Sequence, residues 1–584
     1  MIVKQRAPIT YENTLTQVLV NRGVSANDVK RYSLASLETE VNSPYAFGGE
    51  LMEAAIKMLI GHINNNHQAL IVVDCDVDGN TSAALLINYL YKLFPSWVEN
   101  KVDYCFHEGK QHGLNDMVES LDETNYSLVI CPDSASNDTD ECKFLKEDCT
   151  DVLILDHHDF DRENPYALII NNQEGYSNYP NKALSGVGVV WQFCRAIDDM
   201  LGKKYANDFL DLVAVGLIGD MMDLRSMETK ALVTAGLKNI RNPYIYYMAK
   251  KNAFKLGSKI TPMGAAFYIV PLLNAIQRSG TQEEKKLVFE SMLEYKAFTK
   301  VSSTKRGHKP GEMELLVEQA IRTSTNVKNR QTRIQDASLE ALEKKIEKEN
   351  LLNHKVLLLL LDDDNIPAEV RGLIANKFMA KYQRPCCLLS KGNDSYSGSA
   401  RGCSIAGVDD FKQLCLETDD IEYAIGHPNA FGLKIPQNNI KDFIAKTDLA
   451  LESMSDEAIY YVDYIFEGQN CNPQIILDIA EMNDYWGSEL EEALVAINGL
   501  KVTKDMVDVY RKSTNTIKIS LSNGVSIMKF NADEELCSKL TDENSGFMEM
   551  DIVGKCNANE WNGTITPQIF IEDYNIIDSN KYYF

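Results

Sequence analysis

Three short apolar runs in the first third of the chain each end in carboxylates. Ala69–Val73 leads into Asp74-Cys75-Asp76-Val77-Asp78-Gly79, Leu128–Cys131 into Pro132-Asp133-Ser134, and Val152–Leu155 into Asp156-His157-His158-Asp159. Like charges gathered together raise one another's pKa and oppose folding unless a cation offsets them. Carboxylate oxygens with imidazole nitrogens suit Mn²⁺, Mg²⁺ or Zn²⁺, and bridging carboxylates suit a pair of ions. Any one of these aspartates is explained equally well as a turn opener or helix cap. Three strand ends together, one with two adjacent histidines, point to a divalent-metal centre. A calcium loop is excluded, because the twelfth position counted from Asp74 is Leu85, which offers no carboxylate.

The elements that would position these groups are legible as alternation. Short β-rich runs (Ala69–Val73, Leu128–Cys131, Val152–Leu155, Ala167–Ile170) are separated or followed by amphipathic helical stretches such as Thr81–Leu93 and Gly188–Leu201. That pattern predicts a parallel α/β sheet. Ligands of open parallel sheets bind beyond the carboxyl ends of the strands, so the Asp and His side chains should converge on one crevice. The chain divides by pattern into a lead segment (1–50), this α/β domain (51–225), a mostly helical connector (226–350), a second α/β domain (351–455) and a final segment (456–584). Ser338–Asn350 reads as a charged connector helix, and Val356–Leu361 opens the second α/β pattern. In the final segment Thr516–Leu521, Val525–Phe530, Met548–Val553 and Ile569–Ile571 are short runs separated by turn signals such as Ser522-Asn523-Gly524 and Asn562-Gly563. They predict a small β-barrel.

The order of the motifs carries a resemblance. DxDxDG after one strand, Asp after a second and DHH after a third, followed by Leu217-Ile218-Gly219-Asp220-Met221-Met222-Asp223-Leu224, resembles the DHH phosphoesterase superfamily. Five further segments resemble RecJ-like single-strand exonucleases. They are Leu184-Ser185-Gly186-Val187-Gly188-Val189, Asn274-Ala275-Ile276-Gln277-Arg278 (family NAAGR), Gly398-Ser399-Ala400-Arg401 (GSAR), Gly426-His427-Pro428-Asn429-Ala430-Phe431-Gly432 (GHxxAxG) and the OB-like ending Asn559–Asp573. The likeness spans roughly residues 50 to 580. Its edges drift: the DCG element reads Asp133-Ser134-Ala135, the GGH signature Ile425-Gly426-His427, and HPGVxG reads Ile366–Gly372. Cys105 stands where the family has Arg before EGYGL, which here reads Glu108–Leu114.

The resemblance implies a DHH catalytic domain, a DHH-associated substrate-gripping domain and an OB-like nucleic-acid-binding domain. It implies a 5′→3′ exonuclease on single-stranded DNA that releases 5′-mononucleotides. Asp76, Asp78, Asp133, His157 and Asp220 would hold two ions, Mn²⁺ or Mg²⁺, with Asp133 bridging. Asp74 would be an accessory ligand, Asp156 would orient the histidines, and His158 would contact the scissile phosphate. Ser399, Arg401 and His427 would grip phosphates, Arg401 through bidentate bonds. Gly186 and Gly188 would offer backbone N–H groups, Asn274 and Arg278 would contact the strand, and Lys110 or His112 would replace the missing Arg in terminal-phosphate recognition. Asp223, one turn beyond Asp220, reads as an ordinary solvated or capping carboxylate. Trp561 reads as a barrel tryptophan or a base-stacking one.

Charge first argues against such a substrate. The 59 Lys+Arg against 84 Asp+Glu give a net charge of −25 over 584 residues, and phosphate backbones attract cations. The charge is not evenly spread: residues 241–335 hold 17 Lys/Arg and 7 Asp/Glu, so 17 − 7 = +10, leaving −25 − 10 = −35 elsewhere. The basic segment, with Lys250, Lys251, Lys305, Arg306, Lys309, Lys328, Arg330 and Arg333, reads as a phosphate track. Thirteen scattered cysteines without CxxC fit free thiols in a reducing compartment. No apolar run reaches the ~18–20 residues of a membrane span, and the N-terminus lacks a signal-peptide core. The expected protein is a cytoplasmic monomer with no membrane contact, with single-stranded DNA and a single-strand-binding protein as partners. A small-substrate DHH phosphodiesterase (an oligoribonuclease or cyclic dinucleotide phosphodiesterase) would need only the two α/β domains. A non-catalytic DNA-binding scaffold would have lost metal ligands, whereas all four acidic motifs are present.

Overall fold

The computed structural model describes residues 1–107, 111–115, 117, 126–362, 365–454, 457–541 and 545–581. The chain forms two units, one of residues 27–330 with 484–491, the other of 1–26, 331–483 and 492–584.

The first unit is built on five strands: Ala69–Val73 (β1), Val102–Phe106 (β2), Leu128–Pro132 (β3), Asp151–Asp156 (β4) and Leu168–Asn171 (β5). They pair in parallel in the order β2-β1-β3-β4-β5. Every residue of β1 and β3 is buried, as expected of a parallel sheet covered on both faces. The sequence did not announce β2: VDYCF is a half-exposed edge strand whose Asp103 interrupts the apolar run. The helices that matter for the site are Gly49–Asn64 (α1), Val77–Leu93 (α2), Gly186–Leu201 (α3), Leu210–Gly219 (α4), Met227–Lys238 (α5) and Val270–Ser279 (α6). α2 packs against both α3 and α4. The strand order reverses between β1 and β3, and that switch point is where a doubly wound sheet opens a crevice for a ligand. The expected mostly helical connector also contains a small antiparallel pair, Lys300–Ser302 with Met313–Leu315. Ser338–Asn350 is not a separate helix. It overlaps the end of the 33-residue Leu316–Lys348 (α7).

The second unit joins both ends of the chain. Ile2–Gln5 pairs in parallel with Ile459–Val462. Arg22 donates two bonds to Asp463, at 2.8 and 2.9 Å, with both side chains buried. Part of the lead segment is thus a piece of the C-terminal half. The second α/β pattern is realised as a mixed sheet of Leu357–Leu361 (β6), Cys386–Lys391 (β7), Ser395–Arg401 (β8), Tyr423–His427 (β9) and Ala430–Pro436 (β10), in the order β9-β10-β8-β7-β6. Within it β6 and β7 are parallel and the other pairs antiparallel. Ala368–Tyr382 (α8) packs on β7 and β8.

The final sheet has seven strands: Tyr464–Glu467 (β11), Leu494–Val502 (β12), Val507–Arg511 (β13), Asn515–Ser520 (β14), Ser526–Ala532 (β15), Ser545–Trp561 (β16) and Thr564–Lys581 (β17). Their order is β11-β12-β16-β17-β15-β14-β13. Two of the expected short runs are really the middle of one long hairpin, β16–β17. Asn562 and Gly563 turn it with φ of 50° and 77°, the two positive values that a two-residue type I′ turn requires. Among the described residues no helix is long and apolar enough to cross a membrane.

Candidate metal centre

The loop after β1 is shaped by its carboxylates and its glycine. Asp76 caps α2, accepting a bond from the Gly79 N–H at 3.0 Å. The cap uses Oδ1 alone, so capping does not preclude a ligand role for the other oxygen. A Cβ on Gly79 would lie 2.4 Å from Asp74 Cβ, so no side chain fits there. Asp78 lies in the first turn of α2. Its Oδ1 accepts bonds from Ser185 Oγ at 2.9 Å and from the Val187 N–H at 3.2 Å. The start of α3 is thereby spent on a carboxylate. Ser185 went unnoticed in the sequence, although it is the residue before the helix and inside the quoted motif.

Asp133 follows β3 in a left-handed conformation, φ 67°, and Ala135 shares it at 76°. Such angles are strained for residues with a Cβ and cluster at functional sites. The Asp133 N–H donates to the Leu155 carbonyl at 2.8 Å, and a Cβ on Gly186 would lie 2.4 Å from Asp133 Oδ1. Asp156 ends β4, fully buried. Its Oδ1 accepts from the His157 N–H and from His158 Nδ1, both at 2.7 Å, and its Oδ2 from the Ser136 N–H at 3.2 Å. Asp220 terminates α4.

These elements converge. His157 Nε2 lies 3.2 Å from Asp133 Oδ1, 3.3 Å from Asp220 Oδ2 and 3.9 Å from Asp78 Oδ2. Those three oxygens and Asp74 Oδ1 are buried and accept no hydrogen bond. A buried carboxylate oxygen without a partner is costly unless a cation supplies one. Among the described residues four groups of potential ligand atoms each gather within 4.8 Å: Asp78/His157/Asp220, Asp74/Asp76/Asp133, Asp133/His157/His158 and Asp74/Cys75/His112. The first two sets together make up the expected ligands. Asp133, beside His157, adjoins both. Carboxylate oxygens with one imidazole nitrogen fit Mn²⁺ or Mg²⁺, so the residues present suit a divalent-metal cofactor.

Titration behaviour agrees with that fit. Burial, then the charge of Asp76, pushes Asp78 up to about 6. Burial and the neighbouring carboxylates raise Asp133 and Asp220 well above the ordinary range, and burial raises Asp74 too. Burial and the charge of His158 hold His157 down at about 4, leaving the neutral imidazole a metal requires. His158 goes the other way, to about 10, because Asp156 stabilises its charge. Asp156 is buried, which favours its neutral form, yet the His158 charge and bond hold it below the usual carboxylate range.

The remaining candidates are placed as follows. His112 Nδ1 sits 2.7 Å from Asp74 Oδ2, and that bond raises its pKa to about 11. Lys110 lies outside the described residues. At Gly188 a Cβ would meet Leu184 at 2.3 Å, so packing alone requires glycine there. Asn274 and Arg278 lie half-buried on α6 with no hydrogen bond or ion pair among the described residues. Their neighbour Gln277, not singled out from sequence, is buried and bonded to Asn80. Asp223 turns into bonds with Arg225 at 2.8 to 3.0 Å. In the other unit Arg401, Ala430 and His427 lie side by side in register on β8, β10 and β9, with Ser399 two residues before Arg401. Gly372 on α8 leaves room for the Arg401 guanidinium, which a Cβ would approach to 2.5 Å. Trp561 is 74% exposed beside the hairpin turn, not a core residue. The basic segment is partly offset: Arg322 pairs with Glu314, Arg330 with Glu284 and Lys296 with Glu290.

A doubly wound parallel domain with these strand-end acids and paired histidines defines a DHH-type phosphoesterase domain. Residues 68–217 match the DHH family, N-terminal domain, and residues 462–573 the RecJ OB domain. Over 97% of this chain and 96% of the relative, the chain is 33% identical to a putative SPbeta prophage-derived single-strand DNA-specific exonuclease YorK of Bacillus subtilis. It is 26% identical to the single-stranded-DNA-specific exonuclease RecJ of the same organism, over 96% of this chain and 67% of that protein. In fold it resembles RecJ of Thermus thermophilus solved with Mn²⁺, with TM-score 0.69 at 19% identity, covering 99% of this chain and 79% of that one. The chain belongs to the RecJ-like group of the DHH family.

Proposed function

We propose that the chain is a divalent-metal-dependent exonuclease that degrades single-stranded DNA in the 5′→3′ direction and releases 5′-mononucleotides. The observation that carries this reading is the convergence of Asp78, Asp133 and Asp220 oxygens on Nε2 of a neutral His157. On this reading Asp76, Asp78, Asp133, His157 and Asp220 would hold divalent Mn²⁺ or Mg²⁺ ions, with Asp74 accessory. Bound there, the ions lower the pKa of a water and offset charge on the attacked phosphate.

The chain's own groups do the rest. His158, kept charged by Asp156, donates to an oxygen of the scissile phosphate. His112, charged beside Asp74, meets the terminal phosphate. Gly186 lets α3 approach Asp133 closely, and Gly188 packs against Leu184. Asn274, Arg278, Ser399, Arg401 and His427 hold the strand. The printed names of the relatives, single-strand DNA-specific exonucleases, support the substrate class. The polarity rests on the family resemblance. The enzyme works as a cytoplasmic monomer, with a single-strand-binding protein presenting the strand. A small-substrate phosphodiesterase would leave the RecJ-type OB domain without a role.

The test is digestion of single- and double-stranded oligonucleotides labelled at either end, with Mn²⁺, Mg²⁺ or EDTA. Mononucleotides should leave the 5′ end of single strands only when metal is present. Absence of metal-dependent release from single strands would overturn the proposal.

A further inference from the structure

One buried donor beside the acid cluster has no part in the chemistry above. Gln277 on α6 is 1% exposed, and its Nε2 donates to Asn80 Oδ1 at 2.8 Å. Asn80, also buried, turns its own Nδ2 onto the carbonyls of Asp76 at 2.8 Å and Asp74 at 3.2 Å. Gln277 and Asn80 form a relay from one helix to the backbone of the loop that carries the acids.

The relay has a direction. An asparagine amide offers a donor end and an acceptor end. With Oδ1 engaged by Gln277, its NH₂ must face the two carbonyls. Turned over, Asn80 would set its oxygen against both carbonyl oxygens and its NH₂ against that of Gln277. Leaving these buried groups unpaired costs more than the bonds themselves contribute. The loop needs such a fixture, because it presents two carboxylates, Asp74 and Asp76, two residues apart. Gly79, where no Cβ fits, cannot supply it. Gln277 occupies the place of the glycine in NAAGR, so this donor is one of the chain's departures from the family pattern.

We infer that Gln277 is a positioning residue for the metal-binding loop. Acting through Asn80, it fixes the backbone from which Asp74 and Asp76 project, and it ties that loop to the helix bearing Asn274 and Arg278. The inference rests on reading the acid cluster as a metal centre.

The experiment is a Mn²⁺ titration of the full chain, followed by the electron paramagnetic resonance signal of free Mn²⁺, for wild type, Q277M, N80A and the double variant. Q277M keeps the volume and removes the donor. It should weaken Mn²⁺ binding roughly ten-fold, as loss of a group that orients ligands does. The double variant should bind no more weakly than N80A alone, because Gln277 acts through Asn80. The strand KM at saturating Mn²⁺ should stay close to wild type. Should Q277M fail to fold by circular dichroism, Q277A serves the same comparison without overfilling the site. Mn²⁺ affinity of the Gln277 variant within about two-fold of wild type, or losses that simply add in the double variant, would overturn the inference. A wild-type chain that takes up no Mn²⁺ would instead overturn the metal-centre reading, and this inference with it.

Discussion

The two sheets that carry the polar motifs use their strand ends in different ways. In the parallel sheet β1 and β3 are apolar and buried from end to end, and function begins where they stop. Asp74 and Asp133 are the first residues beyond β1 and β3, and Asp156 is the last of β4. In the mixed sheet Ser399 lies within β8, whereas Arg401 and His427 are the last residues of β8 and β9 and share one lateral row with Ala430. Strand ends and helix ends together aim groups from distant segments at one point: oxygens of Asp133 after β3, Asp78 in α2 and Asp220 at the end of α4 lie within 3.2 to 3.9 Å of His157 Nε2. A lateral row keeps the interstrand spacing of ~4.8 Å. The first geometry suits ions, and the second suits successive oxygens of an extended strand.

Breaking the first geometry should have the largest effect. Asp133→Asn removes the carboxylate adjoining both ligand sets. It should cut mononucleotide release by ~10³-fold or more, as loss of several kcal/mol of charge stabilisation implies. The same variant should melt at a higher temperature than wild type in EDTA, because a buried repelling charge is gone. A variant that keeps wild-type rates would refute the strand-end site.

The second geometry should yield more gently. Arg401→Ala removes a charged fork worth about 1.5–3 kcal/mol per bond made to phosphate. It should raise the KM for oligonucleotides some ten- to hundred-fold and leave Mn²⁺ affinity unchanged. Loss of Mn²⁺ affinity would mean the row is not separate in function from the acids.

The two regions should also differ in their response to pH. The folded pKa of Asp78, about 6, lies above its ordinary 3.8. Its contribution to stability is therefore complete below pH 3.8 and is lost as pH rises through about 6. The metal-free protein should lose on the order of 1–3 kcal/mol relative to Asp78→Asn across this window. Thermal melts in EDTA and in Mn²⁺ check this, and Mn²⁺ should flatten the slope.

The smallest effect concerns the bend after β3. Ala135, at φ 76°, occupies a conformation that glycine adopts without penalty. Ala135→Gly should stabilise the protein by about 1 kcal/mol in denaturant unfolding, with nuclease rates unchanged. A destabilised variant would mean that the buried methyl matters more than the angle.

How much of this was legible in sequence depends on distance along the chain. The strand-end acids were visible because a buried parallel strand is a continuous apolar run, and its end is marked by the first carboxylate. β2 was not, because an edge strand shows a mixed face. The β16–β17 hairpin was seen only as fragments, since register shifts and exposed polar positions break its alternation. Ser185, Asn80 and Gln277 were missed as partners because hydrogen bonds across about 100 to 200 residues leave no local signature. Arg22 and Asp463, 441 residues apart, were invisible for the same reason.

The pairing of Ile2–Gln5 with Ile459–Val462 sets an order of events during synthesis. A ribosome adds roughly 5–20 residues per second, so the first strand waits on the order of half a minute or longer for its partner to emerge. Meanwhile residues 27–330, nearly all of the first unit, are already available to fold. The nuclease sheet is thus made early, and the polypeptide's first residues are among the last to find their place.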